Sequence, residues 1–174
     1  MLLLGTILSA GIAPAKSLAQ CSATGAPANC SVPGSVSMTA GRVVRLQMST
    51  GSTPLTAPTP ADFDAGFNST TGPTLTVSAN APWSLDIRSA AALWTATNTS
   101  PGVVARANKP AADLRWSIAS GGSFAALSTT DANLVGGGAT ASNPTTLYFQ
   151  TLYNWTVDTP GNYSLSIVLT LTSP

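Results

Sequence analysis

Asp62 and Asp64, in Pro60-Ala61-Asp62-Phe63-Asp64-Ala65-Gly66-Phe67, are the one close pair of carboxylates in the chain. Paired carboxylates can do acid/base work on a glycoside, and alternate residues of a strand share a face. They could also hold calcium, but that ion takes roughly six to eight oxygens, and too few lie nearby in sequence. Two solvated loop aspartates are the plainer reading. Histidine and glutamate are both absent. That removes the usual base of a nucleophilic triad and the commonest metal ligand. A Ser–Lys pair would have to use Lys109, since the only other lysine, Lys16, lies in the apolar leader. Asn108-Lys109-Pro110 reads as a loop tip. No catalytic residue, metal or cofactor is expected, and the chain is read as a non-enzyme.

Tryptophan offers a different chemistry, because flat aromatic faces stack on sugars. Trp83, Trp116 and Trp155 each fall on the apolar parity of an alternating segment, so core packing is expected of all three. Tyr148 has the opposite parity and lies near Leu152. With Trp94, these two mark a candidate exposed apolar strip for a protein partner. In a carbohydrate-binding module Trp94 would be the expected sugar contact.

Cys21 and Cys30 are the only cysteines, nine residues apart. Ahead of them an apolar run of about a dozen residues from Leu2 leads to Ser17-Leu18-Ala19, with small residues where signal peptidase requires them. Residues 1–19 are therefore expected to be a secretory signal, cut between Ala19 and Gln20. The run is shorter than the ~20 residues that span a bilayer. Leu18-Ala19-Gln20-Cys21 also has the outline of a lipoprotein box, although Gln20 stands where a small residue is needed. The alternative for Cys21 is a disulfide with Cys30, as two cysteines of an exported chain usually pair. The compartment would be the periplasm or the cell surface.

Composition fits export. Only 7% of residues are charged while 44% are hydrophobic, so Ser and Thr must meet much of the solvent. The acids are six aspartates, and with Lys16 removed six basic residues balance them. No cluster of Lys or Arg occurs, which argues against nucleic acid as a partner. The length suits a single domain with a real core.

Period-2 alternation runs through most of the chain. Val36 and Met38, then Val44, Leu46 and Met48, read as half-buried strands. Gly51 to Pro60 is a Pro-rich loop or edge. Leu75 and Val77, the turn Asn80-Ala81-Pro82, and Trp83, Leu85 and Ile87 read as a hairpin. Ser89 to Leu93 has the composition of a helical turn, and Thr97 to Pro110 that of a loop. Leu114, Trp116 and Ile118 repeat the alternation, whereas Gly136-Gly137-Gly138 reads as a loop. From Thr145 the odd positions Leu147, Phe149, Tyr153, Trp155 and Val157 are apolar. After the turn at Asp158 to Asn162 come Tyr163, Leu165, Ile167, Leu169 and Leu171. The expected fold is all-β, an immunoglobulin-like antiparallel β-sandwich over residues 36–174, with a jelly roll as the alternative. Residues 20–35 form a disulfide-bearing segment before it.

The closing stretch Trp155-Thr156-Val157-Asp158-Thr159-Pro160-Gly161-Asn162-Tyr163-Ser164-Leu165-Ser166-Ile167 and the strand beyond it resemble the last two strands of small secreted bacterial domains. Spore-coat-U-like and pilin-like proteins are among these, and their final strand commonly follows a Pro-Gly-x-Tyr turn. The resemblance implies an immunoglobulin-like sandwich displayed outside the inner membrane, often an assembly subunit. It departs from the pilin pattern in having no long alternating extension before the first cysteine.

The expected function is that of an exported, non-catalytic structural or interaction protein. Its most direct form is an extrinsic periplasmic or cell-surface subunit docking on a larger envelope or membrane complex, with integral membrane proteins as partners. A self-assembling pilus or coat subunit and a carbohydrate-binding module are the alternatives.

Overall fold

The structure is a computed structural model that describes residues 21–99 and 101–174. Residues 1–19, expected to be a secretory signal, and the expected cleavage position between Ala19 and Gln20 lie outside the described residues. The chain divides into two compact units, Met1–Ala40 and Gly41–Pro174. In the first, Cys21 and Cys30 form a disulfide with their Cα atoms 5.8 Å apart. Its described part contains no strand, and Val36 and Met38, expected on one, are exposed. Alternation makes a strand only when an edge is there to satisfy its backbone, and residues 35–39 pair with none among the described residues.

The second unit contains β1 (Val44–Met48), α1 (Pro60–Ala65), β2 (Phe67–Ala79), β3 (Trp83–Ser89), β4 (Thr95–Thr97), a 3-10 turn (Ala111–Asp113), β5 (Leu114–Ser117), β6 (Ala125–Ala126), β7 (Ala132–Gly137), β8 (Thr140–Leu152), β9 (Asn162–Ser164) and β10 (Ile167–Thr172). Every strand pairing is antiparallel. A five-stranded sheet has the order β1-β2-β8-β5-β6, a three-stranded sheet β10-β3-β7, and β4 pairs with β9. No described helix is long and apolar enough to cross a membrane.

Alternation sends Leu75, Val77, Leu114, Trp116, Leu147 and Phe149 inward from the larger sheet. Trp83, Leu85, Ile87 and Leu134 do the same from the smaller, and all join one hydrophobic cluster. Fully buried residues such as Leu75, Leu85, Ile87 and Leu147 each contribute about 1.5–3 kcal/mol of transfer free energy.

Several local expectations are corrected. β2 and β3 are not a hairpin: β2 pairs with β1 and β8, β3 with β10 and β7. Asn80 explains the crossing. Its Oδ1 accepts from Val43 N at 2.8 Å and its Nδ2 donates to Gly41 O at 2.8 Å, tying the corner to the start of β1. Gly136 and Gly137 belong to β7 rather than to a loop. A Cβ on Gly136 would stand 3.0 Å from Trp83 O, and one on Gly137 3.4 Å from the indole. The bare backbone lets β7 lie against Trp83, whose Nε1 donates to Gly138 O at 2.8 Å. Residues 90–92 are bends, not a helical turn. Ile118 falls past the end of β5 and is exposed.

Two further corrections bear on function. The Asp62–Asp64 stretch is the short helix α1, neither the loop expected for it nor the strand that would put both carboxylates on one face. Thr59 caps it and Pro60 occupies its first turn. Asp62 Oδ2 accepts from Thr59 N at 2.7 Å while Asp62 N reaches back to Thr59 Oγ1, a reciprocal capping box. These bonds from Thr59, first its hydroxyl, hold the Asp62 carboxyl below its ordinary pKa. The second correction is that β8 stops at Leu152, leaving Trp155 and Val157 exposed rather than in the core.

Candidate functional site

Four of the chain's few charged residues meet in one place. Lys109, expected at a loop tip, is only 3% exposed. Its Nζ donates to Asp158 Oδ1 at 2.8 Å, Leu152 O at 2.9 Å and Asp113 Oδ2 at 3.2 Å. Arg106 Nη1 bridges the same two carboxylates, 3.0 Å from Asp158 and 3.2 Å from Asp113. Two cations and two anions thus share a partly dry site, which removes the isolated-charge penalty that burial imposes. Burial alone would raise the Asp158 pKa, but hydrogen bonds from Lys109 and Arg106 outweigh it and hold the carboxyl below its usual value. All three Lys109 donors are used, so the cluster is a structural clamp and not a Ser–Lys pair.

The clamp fixes the turn that follows β8. Asp158 Oδ2 accepts from Asn154 N at 2.8 Å, and Tyr153 N donates to Gly66 O at 2.9 Å. The chain is drawn out of the sheet at this point, which is why the alternation after Leu152 does not continue as strand. Tyr153 lies with its ring centroid 5.4 Å from Lys109 Nζ; burial raises its phenol pKa above the ordinary value, with Asp62 and Asp158 adding to the rise and a hydrogen bond with Thr151 opposing it. Downstream, Tyr163 Oη accepts from Arg106 N at 2.9 Å and donates to Thr159 O at 2.6 Å, four residues back. Gly161 approaches Ala105 so closely that any Cβ there would strike the Ala105 methyl. The Pro-Gly-x-Tyr turn therefore has a physical reason for both its glycine and its tyrosine.

Beside this region a groove of about 830 Å³ opens onto the core. One wall is Leu46 and Met48 of β1 with Leu55 of the following loop; the other is Leu165, Ile167 and Leu169 leading into and along β10. Trp94, Leu114 and Phe149 also line it. β1 and β10 are edge strands of different sheets, bonded to β2 and to β3 respectively. They approach where Arg42 Nη1 donates to Ser173 O at 3.4 Å. Among the described residues no backbone hydrogen bond joins them.

The expected Trp94–Tyr148–Leu152 strip is not assembled. Trp94 is only 6% exposed and its Nε1 donates to Pro110 O at 3.1 Å. Its sequence position outside any alternating run concealed this burial. Tyr148 and Leu152 share one parity of β8, opposite the buried Leu147 and Phe149, and both are half-buried. Asp62 and Asp64 are used separately, Asp62 in the helix cap and Asp64 as acceptor for Trp155 Nε1 at 3.0 Å. The only trace of the ion clamp in the sequence is that Lys109 and Asp113 stand four residues apart in a chain with few charges; Arg106 and Asp158 carry no such signal. No family model matches the chain, and no curated protein matches it in sequence.

Proposed function

We propose that the chain is an exported, non-catalytic interaction protein of the periplasm or cell surface, docking on a larger envelope or membrane assembly through the open edge between β1 and β10. The observation that carries this reading is the groove, with apolar side chains between two strands whose outer backbone edges pair with no other strand among the described residues. Such an edge is a template for strand addition, in which main-chain bonds give affinity and side-chain pockets give specificity. The leader and the Cys21–Cys30 bond support an oxidising compartment.

An immunoglobulin-like sandwich, in preference to a jelly roll, is supported by Tyr163. At the start of β9 its hydroxyl bonds backward to Thr159 O, the arrangement of the tyrosine corner in immunoglobulin-type folds. This agrees with the resemblance of the Pro160-Gly161-Asn162-Tyr163 turn to spore-coat-U-like and pilin-like domains. A second reading, self-assembly, is supported by the exposed alternating segment around Val36 and Met38, which could enter the groove of another copy.

Gentle detergent extraction from the native envelope, with mass spectrometry of what copurifies and of the mature N-terminus, separates these readings. Envelope proteins in fixed ratio and a chain starting at Gln20 are expected. A self-ladder would replace docking by fibre formation, and a lone monomer would overturn both.

A further inference from the structure

Trp155 presents an indole that is held in place yet uncovered. It is 59% exposed, whereas Trp83, Trp94 and Trp116 are buried. Phe63 stacks on it with ring centroids 4.6 Å apart and planes 29° from parallel, and Tyr153 packs against Phe63 in turn at 5.4 Å. The indole N–H is already bonded to Asp64. The backbone carrying the ring is fixed as well. Asn154 N is held by Asp158, while Thr156 N and Oγ1 both donate to Asn154 Oδ1, at 2.9 and 2.7 Å. A solvent-facing tryptophan with no internal task would gain nothing from this much support; here orientation is set before any ligand arrives, which lowers the ordering cost of binding.

We propose that Trp155 is a stacking platform for a neutral hexopyranose ring of a glycan. Phe63 occupies one indole face, leaving flat apolar surface for a ligand on the other. The C–H face of a pyranose carries slightly positive hydrogens that suit the electron-rich face of an aromatic ring. The polar groups around the platform, Asp64, Asn154 and Thr156, are acceptors or neutral amide and hydroxyl, as sugar hydroxyls require. An anionic ligand is disfavoured, because Lys109 and Arg106 are committed to Asp113 and Asp158. A protein interface buries roughly 800 Å² per partner, far more than one indole face offers. Phe63, Tyr153 and Trp155 do not line the groove, so this site is independent of the docking reading.

The test titrates the full chain with cellohexaose, chitohexaose and maltohexaose while following the change in tryptophan emission, which a bound sugar brings about at Trp155 because the other three indoles are already buried. At least one oligosaccharide should give a saturable blue shift. Trp155→Ala should weaken that binding about tenfold or abolish it, a change of about 1.4 kcal/mol or more, read by calorimetry since the reporter is lost. Asp64→Ala, which keeps the ring but frees it, should weaken binding less, and Asp64→Asn, which keeps an acceptor, should retain it. Near-UV circular dichroism checks the fold, and if Trp155→Ala does not fold the two Asp64 variants carry the comparison. No saturable response to any of the three sugars overturns the proposal. So does binding that survives Trp155→Ala, or equal loss in both Asp64 variants. Self-association that Trp155→Ala abolishes would also overturn it, by making a second copy the occupant.

Discussion

Replacing Lys109 by methionine keeps most of the side chain's length and removes its charge. In the native clamp Lys109 and Arg106 balance Asp113 and Asp158; in Lys109→Met one cation faces two carboxylates, and Leu152 O loses its donor. Breaking a buried ion pair from one side costs about 3–5 kcal/mol, because the partner's charge is left uncompensated. Asp113 and Arg106 keep partial contact with solvent, which places the expected loss near the lower end, about 3 kcal/mol. For a unit of this size that corresponds to a fall in Tm on the order of 10 °C. Urea unfolding followed by far-UV circular dichroism measures the loss directly. Adding Asp158→Asn restores formal neutrality while leaving an acceptor for Asn154 N, so the double variant should be more stable than the two single losses summed, by at least about 1 kcal/mol. A loss below about 1 kcal/mol in Lys109→Met would refute the reasoning, since that is what an exposed surface pair contributes. Strict additivity in the double variant would refute it too.

Three other outcomes are expected. The Asp158 carboxyl is held below its ordinary pKa by Lys109 and Arg106 against the opposing effect of burial, so its contribution is present above the unfolded value of about 3.9 and lost as pH falls through the lower folded value. Unfolding free energy should decline below about pH 4, and Asp158→Asn should decline less steeply from a lower plateau. Burial raises the Tyr153 phenol, so its contribution is complete below the unfolded value of about 10 and is lost as pH rises through the folded one; Tyr153→Phe should reduce the alkaline loss measured in the same urea series. Gly161→Ala drives a methyl into Ala105 and should cost about 1–3 kcal/mol, seen as a lower Tm, whereas Gly138→Ala, with open space around it, should cost less than about 1 kcal/mol.

The all-β character was legible because alternation at Leu75–Val77, Trp83–Ile87, Leu147–Phe149 and Ile167–Leu171 is strict and each run finds a sheet. What the sequence concealed was whatever depended on distant partners. Asn80-Ala81-Pro82 has the composition of a hairpin turn, yet two side-chain bonds from Asn80 to the start of β1 decide that the chain changes sheets. Trp155 obeys the core parity, but β8 ends three residues earlier and Asp158 holds the backbone at Asn154 out of the sheet, and parity has no meaning beyond the end of a strand. Thr59-Pro60-Ala61-Asp62 does carry a readable signal, a hydroxyl cap with proline next and an acidic residue three positions on, which competes with the alternation of Asp62 and Asp64. Lys109 shows the converse. A lone lysine between Asn and Pro looks solvated until the turn at Asp158, almost fifty residues later, closes over it. That β1 and β10 end their sheets among the described residues is a property of topology and could not be read from either strand alone.

Docking through the groove is tested most directly by photo-crosslinking in the native envelope, with p-benzoylphenylalanine placed at Leu165 in the groove wall or at Thr130, an exposed position between β6 and β7. One discrete adduct to an envelope protein is expected from Leu165 and none from Thr130. Adducts of equal yield from both positions, or from Thr130 alone, would contradict it.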